Sequence, residues 1–301
     1  MSCLIKQLTA SICDIGIRVE YLTLICKDSS KSFNDIIRGV CVMNRQPAVA
    51  GTFYPANPIQ LHQMLDSYLN DAESAANSPK AIIVPHAGYI YSGPIAATAY
   101  ARLKKAHDLI TRVVIIGPSH RVAFSGLAVS KAQSFITPLG SITVDQKASE
   151  IIAKLPFVSY LEEAHTYEHS LEVHLPFLQE MLDDFTIVPI VAGDASPDQV
   201  SQVIDALWGG DETLIVISSD LSHYHDYVAA KKLDKTTSLM IEHLQYERLA
   251  DDFACGKVPV SGLLKLAREK SLTIKTIDLR NSGDTAGDKA RVVGYGAYVI
   301  D

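Results

Sequence analysis

Four short apolar runs constrain the fold of this chain more than any other feature. "AIIVP" (81–85), "RVVIIGP" (112–118), "FTIVPIVAG" (185–193) and "TLIVISSD" (213–220) are rich in isoleucine and valine and nearly free of charge. A strand with one wet face alternates apolar and polar side chains. Unbroken runs of this length instead fit strands covered on both faces of a mostly parallel sheet. Helical patterns at 94–105, 145–154, 171–183, 197–208 and 227–244 lie among and after them. This rhythm predicts an α/β layered sandwich, with a central, largely parallel or mixed sheet flanked by helices. The closing runs "TIKTIDLRNSG" and "VVGYGAYVI" carry alternating aromatics and add two strands, which favours a mixed sheet.

Residues 43–301 contain no repeat and no long linker, so one domain is expected there. Residues 1–42 lack the strand–helix rhythm, include the polar "KDSSKSFND", and precede a natural domain opening, "NRQPAVAGTFYP". They are expected to be an N-terminal extension, either unordered or a start-site artefact. Four of the five cysteines (Cys3, Cys13, Cys26, Cys41) fall in that stretch at spacings that match no zinc pattern, leaving Cys255 alone in the domain. The net charge of −7 carries no basic footprint for nucleic acid, and no apolar run is long enough to span a membrane. The opening stretch makes a poor signal peptide, because Asp14 breaks its apolar run, so the cytoplasm is the expected location.

The ends of the apolar runs carry the chemistry. "AIIVP" leads into His86, "VVIIGPSH" into His120, and "LIVISSDLSH" into Asp220 and His223, with His225 just beyond. In open α/β sheets, ligands bind outside the carboxyl ends of parallel strands. Three runs that deliver imidazoles to the same relative place therefore predict one shared crevice. Gly88 beside His86, and Gly117-Pro118-Ser119 before His120, would let the backbone approach a ligand closely. "HTYEHSLEVHLPFLQEM" (165–181) adds His165, His169, His174, Glu168 and Glu172. It lacks the zinc-protease spacing. Ser170 is expected to cap a helix whose apolar face holds Leu171, His174, Leu175 and Leu178. His174 is read as a hydrogen-bonded core histidine, whereas His169 and Glu172, nearer the helix start, are expected to reach the crevice.

Taken together, "AGTFYP" (50–55), "PHAGYIYSG" (85–93), "GPSH" (117–120), "TPLG" (137–140), Asp145, "EHSLEVHLPFL" (168–178), "SSDLSHY" (218–224) and "ACGKVPVSGLL" (254–264) resemble the Memo family, known in bacteria as protein B of the AmmeMemoRadiSam system. The resemblance runs from Pro47 to the C-terminus and leaves out residues 1–42. It implies a fold like that of class III extradiol ring-cleaving dioxygenases, which hold ferrous iron with two histidines and a carboxylate. In the Memo pattern a cysteine stands third. The resemblance therefore implies His86, His120 and Cys255 as metal ligands, with His223 as the catalytic acid/base.

Two imidazoles and one thiolate leave positions open for oxygen or substrate and are compatible with iron, copper or zinc, of which the resemblance favours iron. Asp220 is expected to accept the second N–H of His223 or of a ligand imidazole. Tyr89, Tyr91 and Tyr224, with His169 and Glu172, are expected to contact a small-molecule substrate. The resemblance also implies radical-SAM and AMMECR-type protein partners. Three functions are compatible with these residues: a redox or oxygenase-like metalloenzyme, a non-enzymatic binding module retaining an ancestral crevice, and a zinc hydrolase. The replacement of carboxylate by thiolate leaves ring cleavage itself open.

Overall fold

A computed structural model describes residues 43–72, 78–250 and 252–301. The expected extension over residues 1–42, with its four cysteines, lies outside the described residues. Residues 43–301 form one compact unit.

In chain order, β1 (Asn44–Arg45) is followed by α1 (Pro58–Asn70), β2 (Ala81–Val84), α2 (Tyr89–Tyr100) and β3 (Arg112–Pro118). Next come β4 (Leu127–Val129), β5 (Ser134–Thr137), β6 (Gly140–Val144), α3 (Gln146–Ile152), β7 (Val158–Tyr160) and α4 (Glu162–Thr166). The chain continues through α5 (Leu175–Met181), β8 (Thr186–Ala192), α6 (Pro197–Ala206), β9 (Thr213–Ser218), β10 (His223–His225) and α7 (Tyr227–Glu242). It closes with α8 (Lys257–Glu269), β11 (Ile274–Asn281) and β12 (Val292–Ile300).

The strands form one mixed sheet in the order β1-β5-β6-β8-β3-β9-β2-β12-β10. Its centre, β8-β3-β9-β2, is parallel throughout. The last strands run the other way: β12 pairs antiparallel with β2, β10 and β11. The aromatic-rich C-terminal runs therefore make the sheet mixed, as their pattern predicts.

The unbroken apolar runs are explained by burial on two faces. Ile82, Val84, Val113, Ile115, Leu214 and Val216 join one core with residues of α1, α2 and α5. Their neighbours Ala81, Ile83, Val114, Ile116, Ile215 and Ile217 join a second core with residues of α3, α6, α7 and α8. Successive strand residues point to opposite faces, so each face needs its own apolar partner. Each such valine or isoleucine contributes roughly 1.5–3 kcal/mol of transfer free energy.

Two helices differ from the pattern-based expectation. The helix expected to open at Pro94 begins five residues earlier, at Tyr89, with Gly88 as its N-cap and Pro94 inside it. A proline is best tolerated in the first turn, and Pro94 instead lies in the second. The carbonyl that Pro94 leaves unbonded is that of the exposed Ile90, where water can satisfy it. The helix expected from 171 opens instead as a 3₁₀ turn, Glu172–His174, before α5. Ser170 does not cap it; its hydroxyl donates to the Pro118 carbonyl at 2.8 Å and ties this segment to the end of β3. Gly117 makes that approach feasible, since a Cβ there would lie 2.7 Å from Ser170 Oγ.

Candidate metal centre

His86, His120 and Asp220 follow the carboxyl ends of β2, β3 and β9, and these three strands are parallel neighbours. The side chains accordingly meet. The ring centroids of His86 and His120 are 5.1 Å apart, those of His86 and His169 5.5 Å, and those of His120 and His169 4.5 Å in a stacked pair. One nitrogen from each of His86, His120 and His169 lies within 4.8 Å of the others. They open into a cleft of about 580 Å³ lined also by Asp220, His223, Tyr224, His225, Asp252 and Cys255. A larger hollow of about 690 Å³ lies beside Glu163 and Tyr167 and shares no lining residue with it. The convergence of imidazoles, not volume, marks the smaller one as the chemical site.

Each imidazole is held differently. His86 is buried, and its Nδ1 lies 2.6 Å from Ser218 Oγ. That hydroxyl also meets His174 Nε2 at 2.8 Å and donates to the Ser170 carbonyl at 2.6 Å. A hydroxyl has one proton, so with Ser170 as its acceptor both imidazoles must donate to it. His86 is thereby set as the Nδ1–H tautomer, with the Nε2 lone pair facing Cys255 Sγ at 3.3 Å. His174 is a hydrogen-bonded core histidine, as its place on the apolar face predicts.

His120 has an anionic partner instead. The Glu168 carboxylate accepts from His120 Nδ1 at 2.9 Å and from the His120 backbone N–H at 2.6 Å. It also accepts the backbone N–H groups of His169 and Ser170, each at 2.9 Å. His169 packs on Phe53, and its buried Nδ1 faces Glu168 Oε1 at 3.4 Å, too poorly aligned for a hydrogen bond.

Burial dominates the electrostatics of the cleft. Desolvation, with His120 second, holds His86 well below the usual histidine range and brings His169 down to about 4. Desolvation pushes Asp220 up to about 6, against the hydrogen bonds it accepts from the backbone of His86 and Ala87. Desolvation and then Asp220 raise the Cys255 thiol far above its usual range, although the residue is partly exposed. Glu168 is pulled down to about 2 despite its own desolvation, because the hydrogen bond and charge of His120 and the backbone donors favour the carboxylate. The cleft thus holds neutral His86 and His169 rings and a protonated thiol, with a carboxylate directly behind His120.

Several residues take places other than those expected. Asp220 accepts the backbone N–H of His86 at 2.7 Å rather than an imidazole N–H; its other oxygen lies 4.0 Å from His86 Nε2. Tyr89 is buried away from the cleft, packed on Tyr54 and Phe177, with its hydroxyl donated to Val173 O at 2.6 Å. Glu172 is fully buried and bonded to Arg45, Tyr54 Oη and the backbone of Ala48 and Val49, so it does not reach the crevice. Tyr91 is half-buried and does not line the cleft.

Tyr224 does line the cleft, 65% exposed, with φ at 62° and Arg291 5.1 Å above its ring. Such a backbone is uncommon for a bulky side chain, and here it lies beside His223 at the rim. His169, expected to contact substrate, instead completes the imidazole group. Its sequence signals were its place beside Glu168 and near the start of the helical pattern; nothing in the sequence pointed to Arg45.

The residues fit a transition-metal ion. Imidazoles suit zinc, copper, iron or nickel rather than magnesium or calcium. The buried rings of His86 and His169 are neutral at pH 7, so their lone pairs are available to a metal without deprotonation.

A family model described as "Memo-like protein" matches residues 45–299. The chain belongs to the Memo family. Among Memo relatives, a MEMO1 family protein of Aquifex aeolicus is 37% identical over 262 residues, covering 83% of this chain and 97% of its own. Another from Sulfolobus acidocaldarius is 36% identical, covering 84% and 98% respectively, and one from Ignicoccus hospitalis is 40% identical, covering 84% and 97%. A solved structure of the uncharacterized protein JW3007 from Escherichia coli K12 aligns over 73% of this chain and 98% of its own at 12% identity. Its TM-score of 0.42 is too low to establish a shared fold. The family assignment accords with the α/β mixed sheet and with a histidine-based candidate metal site. No helix among the described residues is long and apolar enough to cross a membrane.

Proposed function

We propose that this Memo protein is a metal-dependent enzyme whose cleft holds a transition-metal ion through His86, His120 and His169 and carries out redox or oxygenase-like chemistry on a small substrate. The observation that carries this reading is the convergence of the three imidazole nitrogens within 4.8 Å. A bound metal of this class would supply Lewis acidity or a redox centre. His223, on the short edge strand β10 and lining the cleft, is suited to move a proton to or from the substrate. Asp220, a buried carboxyl near the middle of the physiological range, is a second proton-holding group in contact with the His86 backbone.

Cys255, the ligand implied by the family resemblance, lies beside His86 Nε2 as a thiol. Its burial opposes loss of the proton, so we assign it as a donor that joins only when a metal replaces that proton. Iron is the favoured metal, with copper or zinc as alternatives. The radical-SAM and AMMECR-type partners rest on the family resemblance alone and remain part of this proposal.

The test is metal content by mass spectrometry of full-length protein purified without oxygen. Near-stoichiometric iron or copper, lost in His86→Ala and His120→Ala, is the expected result. His223→Ala is expected to keep the metal at the wild-type level, since its role is proton transfer. Zinc with the same dependence would favour a hydrolase. A folded wild type that neither carries nor takes up metal would overturn the metalloenzyme and favour a binding module.

A further inference from the structure

We infer that Glu168 is a positioning residue for the metal centre. It locks His120 in the Nδ1–H tautomer and supplies, one hydrogen bond behind that ring, a negative charge that the Ser218 hydroxyl does not supply behind His86. This inference rests on the metal-binding reading above for its second half; the tautomer assignment stands on the apo protein alone.

The geometry leaves Glu168 little other purpose. Its side chain is 1% exposed, and all its hydrogen bonds go to the site-bearing backbone or to a site imidazole. The backbone N–H and Nδ1 of His120 are bound by its two oxygens, so main chain and ring are fixed by one group. With Nδ1 donating to a carboxylate, the lone pair of His120 must reside on Nε2, and the ring becomes a stronger donor. His86 is oriented by the neutral Ser218 hydroxyl, so the two ligands differ in electron density.

Glu168 is itself fixed from behind. Arg45 Nη2 donates to the Glu168 carbonyl at 2.5 Å, and Arg45 Nε donates to the His165 carbonyl at 3.1 Å. Charge and position are therefore delivered together, from a segment far away in sequence.

The experiment has two arms. In the first, ¹⁵N-histidine-labelled, metal-free full-length protein is examined at pH 8 by long-range ¹H–¹⁵N correlation, with His120→Ala for assignment. His120 is expected as the Nδ1–H tautomer; an Nε2–H tautomer overturns the inference without any variant at Glu168. In the second, Zn²⁺ affinity is measured by competition with a chromophoric chelator. Glu168→Gln preserves size and one acceptor oxygen but removes the charge, and is expected to weaken Zn²⁺ binding by roughly 10–100-fold. Equal affinity in Glu168→Gln and wild type overturns the charge role. A wild type that binds no zinc overturns the metal reading and with it the charge role, while the tautomer arm still decides whether Glu168 orients His120. Should Glu168→Gln fail to fold, the wild-type tautomer remains decisive.

Discussion

Arg45→Ala is expected to cost about 3–5 kcal/mol of folding free energy, the loss associated with removing one partner of a buried ion pair. Arg45 is 7% exposed and Glu172 0%, and the two form a salt bridge. The same guanidinium holds the carbonyls of His165 and Glu168. Without it, Glu172 is left as a buried carboxylate, and two carbonyls lose donors.

Substituting both partners by apolar residues should not restore stability here. Glu172 also accepts the backbone N–H groups of Ala48 at 2.7 Å and Val49 at 3.0 Å, and the Tyr54 hydroxyl at 2.5 Å, and all three would be stranded. Urea unfolding of wild type and Arg45→Ala at one pH checks this. A difference below about 1 kcal/mol, typical of an exposed pair, would show that the clasp is not what holds the 165–174 segment.

The second large effect is acid destabilisation beginning near pH 6.5. His165 and His174 are buried and held down to about 4 and about 3, in both cases chiefly by desolvation. Their folded pKa values lie below those of the unfolded chain. As pH falls below 6.5, the unfolded state therefore takes up protons that the folded state refuses, and stability falls. A tenfold difference in proton affinity is worth about 1.4 kcal/mol, so the full losses are about 3 kcal/mol for His165 by pH 4 and about 5 kcal/mol for His174 by pH 3.

Glu168 acts in the same direction lower down: its ionised form contributes stability that is lost as pH falls from about 4.5 toward 2. Asp220 opposes them. Raised from 3.8 to about 6, it takes its proton earlier in the folded state, which offsets about 3 kcal/mol between pH 6 and 4. The histidines outweigh it, so urea midpoints measured from pH 8 to 4 should fall steadily below 6.5. A flat profile would contradict the buried neutral state of His165 and His174.

Much of the site was legible because its residues follow strands. A parallel sheet has all its carboxyl ends on one side, so "PHAG", "GPSH" and "SSDLSH" could be assigned to one crevice from periodicity and spacing alone. The buried sheet was legible for a related reason. Residues such as Ile82 and Ile83 face opposite cores, and only a strand covered on both sides tolerates such a run.

The 165–174 segment was not legible in this way. Its direction is set by contacts with residues more than a hundred positions earlier: Arg45 pairing with Glu172, and Val49 and Tyr54 bonding to the same carboxylate. Two glutamates four residues apart thus take different roles. Glu168 orients His120, whereas Glu172 anchors the N-terminal segment of the domain, and no local pattern distinguishes them. Tyr89 shows the same limit, since its glycine-flanked position suggests a ligand contact but the packing of α2 against Phe177 turns it into the core.

The sequence by itself determined the layered α/β architecture, the family, and the strand ends where the imidazoles emerge, because strand burial and strand direction are periodic, short-range properties. Tertiary structure alone decided that His169 completes the imidazole group, that Glu168 and Ser218 bond the Nδ1 atoms of His120 and His86, and that Tyr89 and Glu172 belong to the interior. Those outcomes depend on which buried donors find acceptors across long loops, and hydrogen-bond pairing of that kind has no period along the chain.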